Sequence, residues 1–300
     1  NYWSSTVRNN YDIYRLHMGS YVIDARHKFN PLFGYTVRCI IDTPELKNIA
    51  QIQNMQEMNP SICQNMAIHQ TATLNDTRDN ETYTITKLKD AKCWMTQNLR
   101  LRLSTTRTLT PEDTNIHENW TPNRNTETTL TERWDQDPEG QKTVRSYYDE
   151  NYRERGAYYT YSAATAGSGT AITRTESNAP GSICPKGWRL PESTAEYYLQ
   201  NNEFYLMANE YKGTATFNSV TGMFVGRHQL GTAEPKYVMA GYRDYATPAV
   251  MYVSNDAYGW SSTVRNENLA YYLSMHANDD VTPQNSNNRY LGLGMRCVAY

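Results

Sequence analysis

Cysteine is scarce and never closely spaced. Cys39, Cys63, Cys93, Cys184 and Cys297 are scattered over 300 positions, and no two make the CxxC pair of a zinc ribbon. No apolar run approaches the roughly 18 residues that a membrane-spanning helix needs, which excludes a helical span. Charge of one sign is also lacking. Lys and Arg number 29 against 31 Asp and Glu, a formal charge of −2, which excludes a strongly basic nucleic-acid binder and an acidic tail protein. The six histidines make no HExxH or H-x3-H pattern, and no EF-hand loop is present, so no metal site is expected. Gly167-Ser168-Gly169 lacks the Lys-Ser/Thr of a phosphate loop and reads as a turn. No signal peptide is visible. The chain opens at Asn1 on a strand-like segment, and the expectation is that its N-terminus was removed or lies upstream.

What is abundant is tyrosine and asparagine. Tyr numbers 25 against Phe 5, and Asn numbers 28. With 36 aromatics the chain has the means to build a core, so disorder does not fit. Tyr and Asn suit recognition surfaces, where contact area and hydrogen bonding are both wanted; half-exposed strand positions favour Tyr as well. Wide cysteine spacing in such a chain points to disulfides in an oxidising, extracellular or cell-surface setting, with one cysteine left over.

An internal repeat organises the sequence. Residues 3–9, Trp-Ser-Ser-Thr-Val-Arg-Asn, recur in full at 260–266. Tyr14, Leu16 and Met18 match Tyr271, Leu273 and Met275. After a one-residue length change, Gly34, Val37, Arg38 and Cys39 align with Gly292, Met295, Arg296 and Cys297. Residues 1–40 are therefore expected to be the C-terminal fragment of a preceding copy, 41–60 a linker broken at Asp42-Thr43-Pro44 with a short helix over 45–58, and 61–300 a complete domain. The period-two pattern Tyr-x-Leu-x-Met places those side chains on one strand face. The residues between them differ: Arg15 against Tyr272, His17 against Ser274, Gly19 against His276. From Tyr21 to Phe33 against Asn278 to Tyr290 almost nothing agrees. Fixed core positions interleaved with changing outward ones suggest a scaffold that displays a variable surface. Surface drift between two old duplicates is the alternative.

Along the rest of the chain, 78–103 reads as a hairpin entered at Arg78-Asp79-Asn80. Residues 104–155 read as a polar insertion pinned by Trp120 and Trp134. Tyr158 to Ala166 reads as an aromatic strand or short helix. Pro191 is placed at N1 of a helix over 192–211, with Leu199, Phe204, Leu206 and Met207 on its apolar side.

Several islands together resemble the Fibrobacter succinogenes major paralogous domain family, whose proteins are similar to C-type lectins and formylglycine-generating enzymes. They are Arg78 to Tyr83, with Asn80 at a usual Gly position; Cys93-Trp94-Met95-Thr96-Gln97-Asn98-Leu99; Tyr158 to Ala164; Ser182 to Pro191; the Trp-Ser-Ser-Thr block; and Arg296-Cys297-Val298. The terminal segment also resembles variable regions of diversity-generating retroelement target proteins, in which Asn codons are favoured targets. The resemblance implies an α+β, C-type-lectin-like fold with a small twisted antiparallel sheet, one or two helices and long loops. It implies a Cys184–Cys297 disulfide, with Cys63–Cys93 as the second pair and Cys39, the counterpart of Cys297, left free. The calcium-site motifs of sugar-binding lectins are absent, and Thr282-Pro283-Gln284 only echoes them. The expected function is a secreted or surface-displayed bacterial binding protein, not an enzyme, with no cofactor and no nucleic-acid partner, taking a protein or glycan ligand on another cell or phage surface. A structural envelope module or a formylglycine-generating-enzyme-like oxidoreductase is the alternative. The ligand face is expected to comprise Asn268, Tyr272, Ser274, His276, Asn278, Asn285, Asn287, Asn288 and Tyr290, on the grounds that 272, 274 and 276 point away from a core containing Tyr271, Leu273 and Met275.

Overall fold

The computed structural model describes residues 2–7, 13–18, 20–21, 23–29, 47–103, 108–110, 144–169, 172, 177–194, 202–230, 236–244, 247 and 249–299. The fold is α+β with antiparallel sheets, and the chain divides into two compact units, Asn1–Leu46 and Lys47–Tyr300. Trp120, Trp134 and Cys39 lie outside the described residues.

The first unit is a three-stranded meander of β1 (Tyr2–Val7), β2 (Ile13–Met18) and β3 (Ile23–Phe29). Polar and apolar residues alternate along Arg15–Met18 of β2 and Ile23–Arg26 of β3, whereas β1 carries the repeated Trp-Ser-Ser-Thr-Val block.

The second unit starts inside the expected linker. Of that 41–60 segment, residues 47–60 belong to this unit: Ile49, Ile52, Met55 and Met58 are all buried in its main core. The expected helix over 45–58 is instead two short 3-10 turns, Ile49–Gln51 and Met55–Glu57. Asn48 caps the first through the Ala50 N–H, and apolar residues three apart turn inward together. Helix α1 (Pro60–Asn65) follows, with Asn59 as its cap, and carries Cys63.

Strands β4 (Thr71–Asp76), β5 (Glu81–Lys87) and β6 (Cys93–Met95) form consecutive hairpins. The first turn ends on Asn80 at φ 63°, a left-handed conformation that Gly or Asn adopts most readily, as the Gly position of the resembling motif anticipates. Then come β7 (Ser146–Tyr147), β8 (Tyr158–Tyr159), α2 (Tyr161–Ala164), β9 (Ser177–Asn178) and α3 (Glu203–Glu210). The expected helix over 192–211 is thus shorter. Residues 191–194 are not helical, and Asn202, not Pro191, starts it by accepting from Tyr205 N. Residues 195–201 lie outside the described set. Next are β10 (Thr216–Asn218), β11 (Met223–Val225), β12 (Tyr242–Arg243) and β13 (Val250–Met251). The chain then runs through the long meander β14 (Asp256–Val264), β15 (Leu269–His276) and β16 (Val281–Asn288) to β17 (Val298–Ala299).

One six-stranded sheet runs β10-β11-β16-β15-β14-β9, and a four-stranded sheet runs β17-β6-β5-β4. Two disulfides, Cys63–Cys93 and Cys184–Cys297, join the segments in the pairing that the resemblance implies. Two apolar clusters hold the unit. The larger contains Trp188, Trp260, Tyr159, Tyr161 and Tyr272; the smaller contains Trp94, Phe204, Met207, Phe224, Leu273 and Met275. Trp260 and Tyr272 alternate with Leu273 and Met275, so the β14–β16 meander is packed on both of its faces.

Candidate functional site

The seven-residue repeat is explained by what its second copy does. Trp260 is fully buried, and its indole N–H donates to Tyr159 O at 2.8 Å. Ser261 Oγ donates to Tyr271 O and accepts from Thr263 N, Ser262 Oγ donates to Pro191 O, and Thr263 Oγ1 accepts from Ser193 N. These short polar side chains serve backbone groups at the bulge between Trp260 and Val264, groups that burial would otherwise leave unpaired. Asn266 Oδ1 then accepts from Asn268 N and Leu269 N, closing the turn into β15. The block is a structural splice.

The first unit repeats this backbone. Trp3 pairs with Arg15 and Val7 with Ile13, as Trp260 pairs with Tyr272 and Val264 with Ala270, with the same bulge between. Arg15 pairs with His27, His17 with Asp24 and Met18 with Ile23, as Tyr272 pairs with Asn285, Ser274 with Thr282 and Met275 with Val281. This register puts the one-residue length change in the turn after Met18 and Met275, earlier than the sequence alignment places it. A turn absorbs an extra residue, whereas a strand would flip every later side chain.

At matched places the chemistry changes. Asn285 Nδ2 reaches Ser274 Oγ at 3.5 Å, while the imidazoles of His17 and His27 lie 5.0 Å apart, with His27 Nδ1 3.1 Å from Asp24 Oδ2. The same two positions touch across the same bulge in both units.

The alternation along β15 is as expected, but the inference that 272 and 274 point to solvent is corrected. Tyr272 is 5% exposed, Ser274 0% and Tyr290 6%. Tyr272 is flanked edge-on by Trp260 at 6.0 Å and Tyr258 at 5.7 Å between centroids, and both Tyr272 and Tyr290 belong to the larger apolar cluster. Burial pushes the Tyr272 phenol up to about 12 despite a hydrogen bond from Asn287. Nor do the nine residues form one patch. Asn268 and Asn278 are exposed at opposite ends of β15, separated by roughly 30 Å of extended chain. Asn278 serves its own turn through Asp280. Asn288, next to Asn287 in the strand, faces the other way. Asn285 and Asn287 remain beside Tyr272 across the β15–β16 pair, and His276 lies further along β15 beside Asp256, all three half-buried.

The structure adds residues to this group that the repeat could not point to. Asp256, Tyr258 and Trp260 stand opposite His276, Ser274 and Tyr272. Tyr258 hydroxyl donates to Asp256 Oδ2 at 2.6 Å, and His276 Nδ1 lies 2.9 Å from Asp256 Oδ1. Burial and that carboxylate hold the Tyr258 phenol well above its ordinary value. Tyr242 meets Tyr258 edge-on at 5.6 Å and stacks on Tyr252 at 5.9 Å. Tyr252 is 51% exposed. A ledge of phenol rings therefore runs from buried Tyr272 out to solvent, bordered by His276 and two asparagine amides. Such a ledge offers flat contact area and adaptable hydrogen bonds. The only sequence signal for it was the excess of tyrosine.

Apart from this ledge, a cleft of about 1150 Å³ lies at the end of α3 among Lys89, Glu210, Lys212, Arg227, His228 and Asp279. Its buried groups are engaged structurally. Glu210 accepts from Lys89 N, and His228 Nε2 donates to Ala208 O while Nδ1 accepts from Leu230 N. Among the described residues no three of His, Cys, Asp and Glu come together as a metal-holding group, and no helix is long and apolar enough to cross a membrane. Comparison with protein-family models, with curated proteins and with solved structures finds no match to this chain.

Proposed function

We propose that this chain is an extracellular or surface-displayed bacterial binding protein that presents a changeable face on a fixed, C-type-lectin-like meander and takes a protein or glycan ligand. The observation that carries this reading is the pair of matched positions 17/27 and 274/285. They meet in one register across one bulge, yet carry imidazoles in one unit and a hydroxyl with an amide in the other. A structural envelope module would keep that chemistry constant. Two disulfides support an oxidising compartment. The ligand-contacting set in this reading is Tyr252, Tyr242, Tyr258, His276, Asn285 and Asn287, with Tyr272, Ser274 and Tyr290 as the support beneath.

The test is a paired measurement on the chain carrying Tyr252→Ala, His276→Ala and Asn287→Ala. Melting is recorded beside binding to intact bacterial cells and to an immobilised glycan panel. Binding of the parent chain that disappears in the variant with little change in melting temperature supports the proposal. Equal binding by parent and variant refutes it.

A further inference from the structure

Among its described residues, the first unit carries a core-like face with nothing of its own to cover it. Leu273, Met275 and Val281 are each at most 1% exposed and share a cluster with Phe204 and Met207 of α3, Phe224 of β11 and Trp94 of β6. Their register counterparts in the first unit are Leu16, Met18 and Ile23. Leu16 is half-buried, Met18 is 49% exposed and Ile23 is 74% exposed. Residues 1–46 align only with the terminal stretch of the second unit, so the covering helix, hairpin and tryptophan have no counterpart among them.

We infer that the face bearing Leu16, Met18 and Ile23 is an interaction surface for a polypeptide body of the kind formed by residues 47–257. Such a body supplies an amphipathic helix with Phe and Met, a Phe-bearing hairpin and a Trp-bearing strand. The shared backbone selects this occupant: the same register and the same bulges fix where side chains emerge, so a surface shaped for Met275 and Val281 fits Met18 and Ile23. Two such meanders placed face to face would supply each other strand positions only, without the helix, hairpin and tryptophan that cover Met275 and Val281.

The experiment extends the full chain by fusing a second copy of residues 47–257 ahead of Asn1, which aligns with Tyr258. Peroxide oxidation of Met18 and Met275 is followed by mass spectrometry in the parent and the extended chain. In the parent, Met18 oxidises quickly and Met275 slowly. In the extended chain, Met18 slows to the Met275 rate, and Ile23→Asp restores its fast oxidation while Met275 stays slow. A second protein, the parent with residues 258–297 replaced by 1–39, keeps the question open to an answer if the extended chain does not fold. Unprotected Met18 in both proteins overturns the inference. So does slow Met18 oxidation in the parent together with a dimer by light scattering, because the cover is then a second copy of the chain.

Discussion

Asp256 and His276 face each other at the end of the β14–β15 pair, Oδ1 to Nδ1 at 2.9 Å, and the second oxygen of Asp256 takes the Tyr258 hydroxyl at 2.6 Å. After burial, the hydrogen bond to this carboxylate is what keeps the Tyr258 phenol protonated. Asp256→Asn therefore lowers the Tyr258 titration toward the ordinary value of 10.0, while burial holds it somewhat above. The ultraviolet phenolate difference between the parent and Asp256→Asn, with Tyr258→Phe as the reference, reports it. An unchanged difference spectrum contradicts the assignment.

Tyr272 and Tyr252 sit at the two ends of the phenol ledge and should behave in opposite ways. Tyr272→Ala removes a ring packed against Trp260 and is expected to cost roughly 3–5 kcal/mol. Tyr252→Ala, at a half-exposed site, is expected to cost less than about 0.5 kcal/mol. Urea unfolding of the two variants separates the support from the displayed surface.

His228 is buried and neutral in the fold, its pKa lowered by that burial to about 4 from 6.5. The unfolded chain takes up a proton there at a higher pH than the folded one does. Its contribution to stability is therefore complete above pH 6.5, declines as pH falls and levels off near pH 4, a loss of roughly 3 kcal/mol. Denaturation midpoints between pH 7.5 and 4 should show this slope, and His228→Gln should flatten it.

Asp76 and Arg78 are a fully buried pair joined by Nε and Nη2 contacts, and Arg78 also donates to Ile183 O. Burial by itself raises the Asp76 pKa, but the hydrogen bonds and charge of Arg78 outweigh it, and the net shift is downward from 3.8. The stability it contributes is present above pH 3.8 and is lost as pH falls through the lower folded value. Asp76→Ala leaves the guanidinium buried without its charge partner and should cost about 3–5 kcal/mol at pH 7. Thermal unfolding at pH 7 measures that cost, and it should shrink at low pH.

Cysteine accounting gives a further check. With Cys63–Cys93 and Cys184–Cys297 closed, thiol titration of the denatured, unreduced chain should count one free thiol, at Cys39. Peptide mapping that finds Cys39 in a bridge within the chain contradicts the scheme. Cys297→Ser opens the longer loop and should cost about 2–5 kcal/mol.

The sequence alone determined what depends on local pattern and on repetition. The α+β class, the β5 and β6 strands, the left-handed turn at Asn80, the cysteine pairing and the fixed-against-changing alternation along β15 were legible there. The α+β class and the cysteine pairing were implied by the family resemblance; the strands, the turn at Asn80 and the alternation rest on period, turn chemistry and the repeat. The tertiary structure decided what depends on a second layer. Period two says that Tyr272 and Leu273 point to opposite sides; it does not say whether one of those sides meets water. Here Tyr159 and Tyr161, from β8 and α2, join Trp260 and Tyr272 in one buried cluster, so a position read as display became support. In the same way Met55 and Met58, in a stretch read as linker, are drawn into the core because the rest of the unit leaves a place for them. Tyr242 and Tyr252 join the site only because the β12–β13 hairpin brings their rings beside Tyr258, a contact between segments that no spacing in the chain encodes.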